Sequence, residues 1–285
     1  MNAPGLASQA MSVPGLASLE RLRPGLVVEV LAEADSSNTR LLERARGGDT
    51  SARLLVVEHQ SAGRGRQGRP WFTEPAGAHG APPGPGTLCF SLGLVLAPVD
   101  WSGLSLAVGV ALAEALHPRV RIKWPNDLWL TGPDGAPGRK LGGVLIETLP
   151  LEARSGRGGQ GAHEGGRYAV IGVGLNLAAP APRPGLEGAV AGWREIEPAA
   201  TAASLFDAVA LPLLAAVQDF ERDGFAAFAD RFAARDALNG LRVRAIGSPA
   251  TEGLACGVDE GGGLRLVTSQ GPLSIVSGEV SIRPC

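Results

Sequence analysis

The chain has 285 residues, 45% of them apolar, and a formal net charge of −2. That length allows one large domain, or a large and a small one, with a core of ordinary size. The near-neutral balance excludes a general pull toward nucleic acid or an acidic membrane, so any anion chemistry must come from a local cluster of cations.

The first residues carry a near-repeat, Pro4–Ser8 and again Pro14–Ser18, too small and too rich in Pro and Gly to build a core. Residues 1–24 are therefore expected to be a disordered leader, with Met11 as an alternative start and no room for a helix-turn-helix ahead of the first strand. Leu26–Leu31 has strand length, and Thr39–Arg46 reads as a helix capped by Ser36, Ser37 or Asn38. Leu54–Glu58 is a second strand, followed by a Gly/Arg loop to Trp71 and a flexible insertion at 75–86. Thr87–Leu96 is a strand and Ser102–His117 an apolar helix. Val120–Trp124 alternates as a strand with Val120, Ile122 and Trp124 on one face. Leu141–Thr148 and Ala169–Val173 read as paired strands joined by a mobile loop at 153–166. Thr201–Arg222 and Phe225–Ala237 are expected to be helical. Beyond them come five short strands with glycine turns, in the manner of a small barrel: Arg242–Ile246, Gly253–Val258, Leu264–Thr268, Leu273–Val276 and Glu279–Arg283. The expected organisation is an α+β domain over 25–237 and an all-β domain over 238–285.

No apolar run is long enough, free of charges, Gly or Pro, to suggest a membrane span. The N-terminus lacks a signal-peptide pattern. Cys89, Cys256 and Cys285 are isolated, with neither metal-ligand nor disulfide spacing, which suits a reducing cytoplasm.

Four segments concentrate chemistry. The first is Gln60-Ser-Ala-Gly-Arg-Gly-Arg-Gln-Gly-Arg-Pro-Trp71, in which Arg64, Arg66 and Arg69 sit among glycines that let the backbone close on an anion. Trp71 adds a flat apolar face suited to a ring. Taken alone, this loop equally describes a solvated basic loop or an RNA-binding segment. The second is Lys123-Trp-Pro-Asn-Asp-Leu128, where Asn126 and Asp127 read as turn residues. The third, Arg139-Lys-Leu-Gly-Gly-Val-Leu-Ile-Glu147, sets Lys140 before Gly142 and Gly143 at the opening of an apolar strand. The fourth, Ile171-Gly-Val-Gly-Leu-Asn176, again pairs glycines with a strand and ends in an amide.

With Asp35-Ser-Ser-Asn38 upstream, the order of these segments resembles the biotin–protein ligase family, whose pattern reads D-S-T-N, Q-x-A-G-R-G-R-x-G-R-x-W, K-W-P-N-D, R-K-x-x-G-(I/V)-L-x-E and G-x-G-(I/L)-N. The likeness runs from Leu26 to the terminal Gly278–Arg283 segment. It implies a mixed-sheet catalytic domain of the biotin/lipoate ligase type with a small SH3-like β-barrel. It also implies conversion of biotin and ATP to biotinyl-AMP, then transfer of biotin to a lysine of a carboxylase carrier protein. By motif, Ser36, Ser37, Asn38 and Gln60 would hold the ureido ring. Arg64, Gly65 and Arg66 would meet the biotin carboxylate and the phosphates, with Gly142 and Gly143 lining the chain. Lys140 would reach carboxylate and α-phosphate. Arg69, Trp71, Lys123, Asn126 and Asn176 would hold the nucleotide, and Asp127 is the candidate for a magnesium site. Ser37 stands where the family has threonine and keeps the hydroxyl. Gln67 stands where an arginine is common, which puts that contact in doubt. The rival readings are a lipoate or octanoate ligase of the same superfamily, a nucleic-acid-binding regulator and an inactive biotin binder. The expected partners are a carrier domain, biotin and ATP, without nucleic acid or membrane; the resemblance leaves monomer or dimer open.

Overall fold

In the computed structural model the described residues are 16–73, 85–133, 136–151, 166–181, 189–246, 251–276 and 281–284. The main sheet contains β1 (Val27–Ala34), β2 (Arg53–Gln60), β3 (Thr87–Leu96), β4 (Val120–Lys123), β5 (Asp127–Leu130), β6 (Arg139–Pro150) and β7 (Arg167–Asn176). Its order is β1-β2-β3-β7-β6-β5-β4. Only β1 and β2 run parallel, joined by helix α2 (Ser37–Arg46); every other pair is antiparallel.

Alternation along each strand gives the sheet two different faces. Phe90, Leu92, Leu94 and Leu96 of β3 point into the main core, beneath α3 (Leu104–Leu116) and α4 (Ala202–Asp223). The opposite face carries a smaller core, in which Leu55, Val57, Tyr168 and Val170 pack on Leu41, Leu42 and Ala45 of α2. Farther along that second face the apolar side chains stop: Ser91 pairs with Gly172, Cys89 with Gly174 and Gly143 with Gly174. Loss of side-chain volume there, next to the start of α2, leaves room for a ligand.

A β-bulge in β6 decides which residues share this face. The β5–β6 register passes from Leu128↔Gly142 to Trp129↔Lys140, leaving Leu141 without a partner. Leu141 and Val144 both remain in the core. The extra residue therefore returns Lys140 to the face of Gly143, Leu145 and Glu147.

A second sheet, ordered β11-β10-β9-β8-β12, is antiparallel throughout, as expected for an SH3-like unit. Its strands are β8 (Arg242–Ile246), β9 (Thr251–Val258), β10 (Leu264–Thr268), β11 (Gly271–Ile275) and β12 (Ser281–Pro284). Val243, Ala255, Leu264 and Leu266 join the main core, and the buried Trp124 donates its indole N–H to Gly262 O at 2.9 Å. The two sheets thus share one apolar core across the expected boundary near residue 237.

Four expectations need correction. Leu16–Leu22 forms helix α1, so the leader expected to be disordered through residue 24 is ordered from Leu16; residues 1–15 lie outside the described residues. Leu19 is 1% exposed, and Gln218 of α4 donates to Leu22 O at 3.2 Å. Replacing Leu19 with Ala should lower stability by about 2–4 kcal/mol in a denaturant titration; an unchanged midpoint would show that α1 is dispensable.

The second concerns Asn126-Asp127, expected as a turn. The turn comes one step earlier and Asp127 opens β5, because Val144 N–H donates to Asn126 O and draws the segment onto β6. Third, Phe225–Ala237 is a 3-10 turn, Phe225–Phe228, followed by short α5, Ala229–Ala233. The chain then extends, because Arg235 O and Ala237 N–H bond to Ile122 and cover the free edge of β4. Fourth, α4 is long and apolar enough by length and composition to cross a membrane. Leu205, Phe206, Val209, Leu213, Val217 and Phe220 are nevertheless buried in the protein core, as in any helix covering a sheet. The insertions expected at 75–86 and 153–166 fall mostly outside the described residues.

Candidate active site

The α2 face of the sheet opens into a cavity of about 360 Å³. At one end lies a polar pocket around the start of α2. The Ser37 N–H donates to Gln60 Oε1 at 2.8 Å, so Gln60 caps the helix in place of a side-chain bond from Ser36, while the same side chain also hydrogen-bonds Cys89. Ser91 Oγ lies 2.7 Å from Ser37 Oγ and 2.6 Å from Asn38 Oδ1; having one proton, it can donate to only one of them. Asn38 Nδ2 donates to Leu145 O and to Glu147 Oε2. Ser36, Ser37, Asn38 and Gln60 are all under 9% exposed. A Cβ on Gly172 would stand 2.3 Å from Asn38 Oδ1, so glycine is what admits the amide.

The Gly/Arg segment closes this pocket from above. Gly65 N–H bonds Arg69 O, Trp71 N–H bonds Gly63 O, and Arg64 bridges Pro70, giving a small hairpin. Its tip is a tight turn over Arg66–Gly68 with Gln67 at φ 58°, a left-handed conformation costly for a residue other than glycine. The base of the hairpin is equally constrained: a Cβ on Gly63 would lie 2.4 Å from Trp71 O. Trp71 lies over Gly174, whose Cβ would be 2.4 Å from the indole ring.

Cations gather at the other end. Lys140 Nζ is 2.7 Å from Asp127 Oδ1, and Lys123 Nζ is 3.7 Å from Asp127 Oδ2. Arg66 reaches Asn126 Oδ1 at 3.3 Å. Arg66 and Lys140 are therefore held by residues adjacent in sequence, on the wall of one cavity. Burial pulls the Lys123 ammonium below the usual lysine range, with Asp127 opposing the shift. Burial likewise lowers Arg66, again opposed by Asp127. Five cationic side chains, Arg64, Arg66, Arg69, Lys123 and Lys140, line the cavity; Asp127 is the one carboxylate among the lining residues, and Glu147, just outside the wall, pairs with Arg64. A chain of net charge −2 thus keeps a strongly positive site. Cys89 also lines the wall; burial pushes its thiol up to about 11, so it stays protonated and unreactive at neutral pH.

Most residues expected from sequence meet here, with three adjustments. Gly142 does not line the cavity: it sits at the bulge, where a Cβ would be 2.5 Å from Gly174 O, and serves strand packing. Asp127, the candidate magnesium ligand, has each oxygen facing an ammonium, and among the described residues no cluster of three metal-ligating side chains exists. The protein groups therefore do not fit a resident divalent cation, and Asp127 is the counter-ion of Lys140 and Lys123. Arg64 turns its guanidinium onto Glu147, at 2.8 and 3.0 Å. Ser91 and Glu147 were missed by the sequence reading. A serine inside the otherwise apolar β3 and a carboxylate closing the third motif were the available signals.

A mixed sheet with a polar recess at one end of its cavity and gathered cations at the other gives a site suited to holding anionic groups close together. Comparison narrows the class. Residues 31–159 match the biotin/lipoate A/B protein ligase family. The bifunctional ligase/repressor BirA of Escherichia coli strain K12 is 33% identical over 266 residues, covering 90% of this chain and 74% of that protein. The biotin–(acetyl-CoA-carboxylase) ligase of Paracoccus denitrificans is 31% identical over 261 residues, covering 88% and 98%. The biotin protein ligase from Aquifex aeolicus, solved in complex with biotin and ATP, superposes with a TM-score of 0.70 at 25% identity, covering 91% of this chain and 99% of that one. The chain belongs to the biotin/lipoate protein ligase family, on its biotin protein ligase branch.

Proposed function

We propose that this chain is a biotin–protein ligase that activates biotin with ATP and transfers it to a lysine of a biotin carboxyl carrier protein. The observation that carries this reading is a polar, glycine-lined recess continuous with a cluster of five cations. Biotin's ureido group fits the recess, where Gln60 offers N–H donors and Ser36 and Ser37 offer hydroxyls. Its apolar chain runs along Val144 and Leu145 toward Lys140. The nucleotide lies against Trp71, Lys123, Asn126 and Asn176, with Arg69 near its phosphates.

In the first step a biotin carboxylate oxygen attacks the α-phosphorus. A new P–O bond forms, the α–β anhydride bond breaks, and pyrophosphate leaves with the electron pair. Two unit charges about 4 Å apart repel by roughly 4 kcal/mol at an effective dielectric of about 20, a cost that Lys140 and Arg66 offset while stabilising charge on the phosphorus. No enzyme nucleophile is needed, because positioning and electrostatics suffice. Magnesium enters this scheme as part of the substrate, on the ATP phosphates with its remaining waters. In the second step the carrier lysine's neutral amine attacks the acyl carbon, the amide forms, AMP leaves, and the amine loses a proton. The hairpin tip over the cavity keeps water from the mixed anhydride.

Two experiments test these steps. Incubation with biotin, Mg·ATP and a carrier domain should label the carrier on an avidin blot, whereas a carrier acylated by lipoate instead would favour the lipoate-ligase reading. Arg66→Gly removes a half-buried guanidinium from the hairpin tip and should let biotinyl-AMP escape about tenfold faster, the order expected from losing one charge-assisted contact. Retention of the intermediate at the wild-type rate would remove Arg66 from that role.

A further inference from the structure

Glu147 lies outside the cavity wall, yet it touches both ends of the ligand-enclosing machinery. Its carboxylate accepts from Asn38 Nδ2 at 2.9 Å and from Arg64 Nη2 at 2.8 and 3.0 Å. Asn38 is buried on the floor of the recess, while Arg64 is on the hairpin that covers it. With Ser91 donating to Asn38 and the Ser37 hydroxyl to Ser91, the same chain of hydrogen bonds continues through the Ser37 N–H to Gln60. The bond to Glu147, with that to Leu145 O, also fixes which way the Asn38 amide faces: its NH2 turns toward β6 and its oxygen toward Ser91. The β6 bulge places Glu147 on the same face as Lys140.

We infer that Glu147 is a positioning residue that latches the arginine hairpin to the floor of the ring pocket, so that pocket shape and loop closure are set by one carboxylate. Arg64 then works by closing the loop, with its charge spent on Glu147, and the charge met by the ligand comes from Arg66 and Lys140. This rests on the biotin reading of the cavity, and the wild-type control separates the two.

Two variants divide the latch. Glu147→Gln keeps a carbonyl that can accept from Asn38 and loses the charge that holds Arg64. Its biotin KM should stay within about twofold of wild type, while release of biotinyl-AMP speeds up about twofold to fivefold, the range for a half-exposed ion pair. Glu147→Ala loses both arms and should also raise the biotin KM about tenfold, as for a buried amide that loses one of its bonds, with kcat of ATP–pyrophosphate exchange changed less than threefold. Arg64→Met should match Glu147→Gln in release rate, and adding it to Glu147→Ala should not speed release further, since both remove one contact. A general structural role would instead lower kcat and thermal stability together and leave KM and release unsplit. Wild-type release from Glu147→Gln, or additive release rates in the double variant, would overturn the latch. If Glu147→Ala does not fold, the Gln and Arg64→Met pair carries the test alone. Absence of biotin-dependent exchange in the wild-type chain would sink the biotin reading, and the latch with it.

Discussion

Replacing Lys140 with alanine should lower biotin-dependent ATP–pyrophosphate exchange about 10²–10³-fold, the loss typical of removing one donor from a developing oxyanion. The expectation follows from where the ammonium is held. Lys140 is the second residue of β6, the bulge at Leu141 turns it onto the cavity face, and Asp127 holds it at 2.7 Å. Its removal has two effects in the same direction. The pentavalent phosphorus loses a cation, and Asp127 loses its nearer ammonium and keeps Lys123 at 3.7 Å, adding less compensated negative charge where two anions must meet. Folding should change little, because the Lys140 side chain is 35% exposed and such ion pairs contribute little stability. Near-wild-type exchange by Lys140→Ala would strip the residue of its assigned role.

The second large effect should come from a residue with no functional group. Gly172→Val places a Cβ 2.3 Å from Asn38 Oδ1 and 2.9 Å from its Cγ, so the amide must leave its site. Its departure breaks the bonds to Ser91 and Glu147 and leaves buried polar atoms unpaired. At about 1–3 kcal/mol for each buried group so orphaned, biotin affinity should fall about 10²–10³-fold. Calorimetric titration with biotin reads this directly. Binding at wild-type strength would mean that the ring sits elsewhere and that the glycine serves only strand packing.

Much of this site could be read from the sequence because its motifs encode local geometry. The arginines among glycines lie on a segment that closes over the cavity, as their composition suggests, and the Gly172 and Gly174 spacing marks the face of β7 from which side chains are withdrawn. What remained hidden depends on pairing between distant segments. The bulge that turns Lys140 toward Glu147 exists only in the register of β6 on β5. Asp127 looked like a turn residue and a metal ligand because sequence shows its type and not the two ammonium groups beside it. Helix α1 was masked by a small-residue, Pro/Gly-rich lead-in, and its ordering comes from Leu19, whose burial against α4 outweighs weak local propensity. The limit Arg235–Ala237 sets on the last helix is likewise tertiary, since bonds to Ile122 win over a helical continuation.

The most direct test is a crystal structure of this chain with a non-hydrolysable biotinyl-AMP analogue. The acyl–phosphate linkage should lie within hydrogen-bonding distance of both Lys140 Nζ and the Arg66 guanidinium, with the ureido ring against Ser37 and Gln60. A linkage bound away from both cations, or a ring seated outside the recess under the hairpin, would contradict the account.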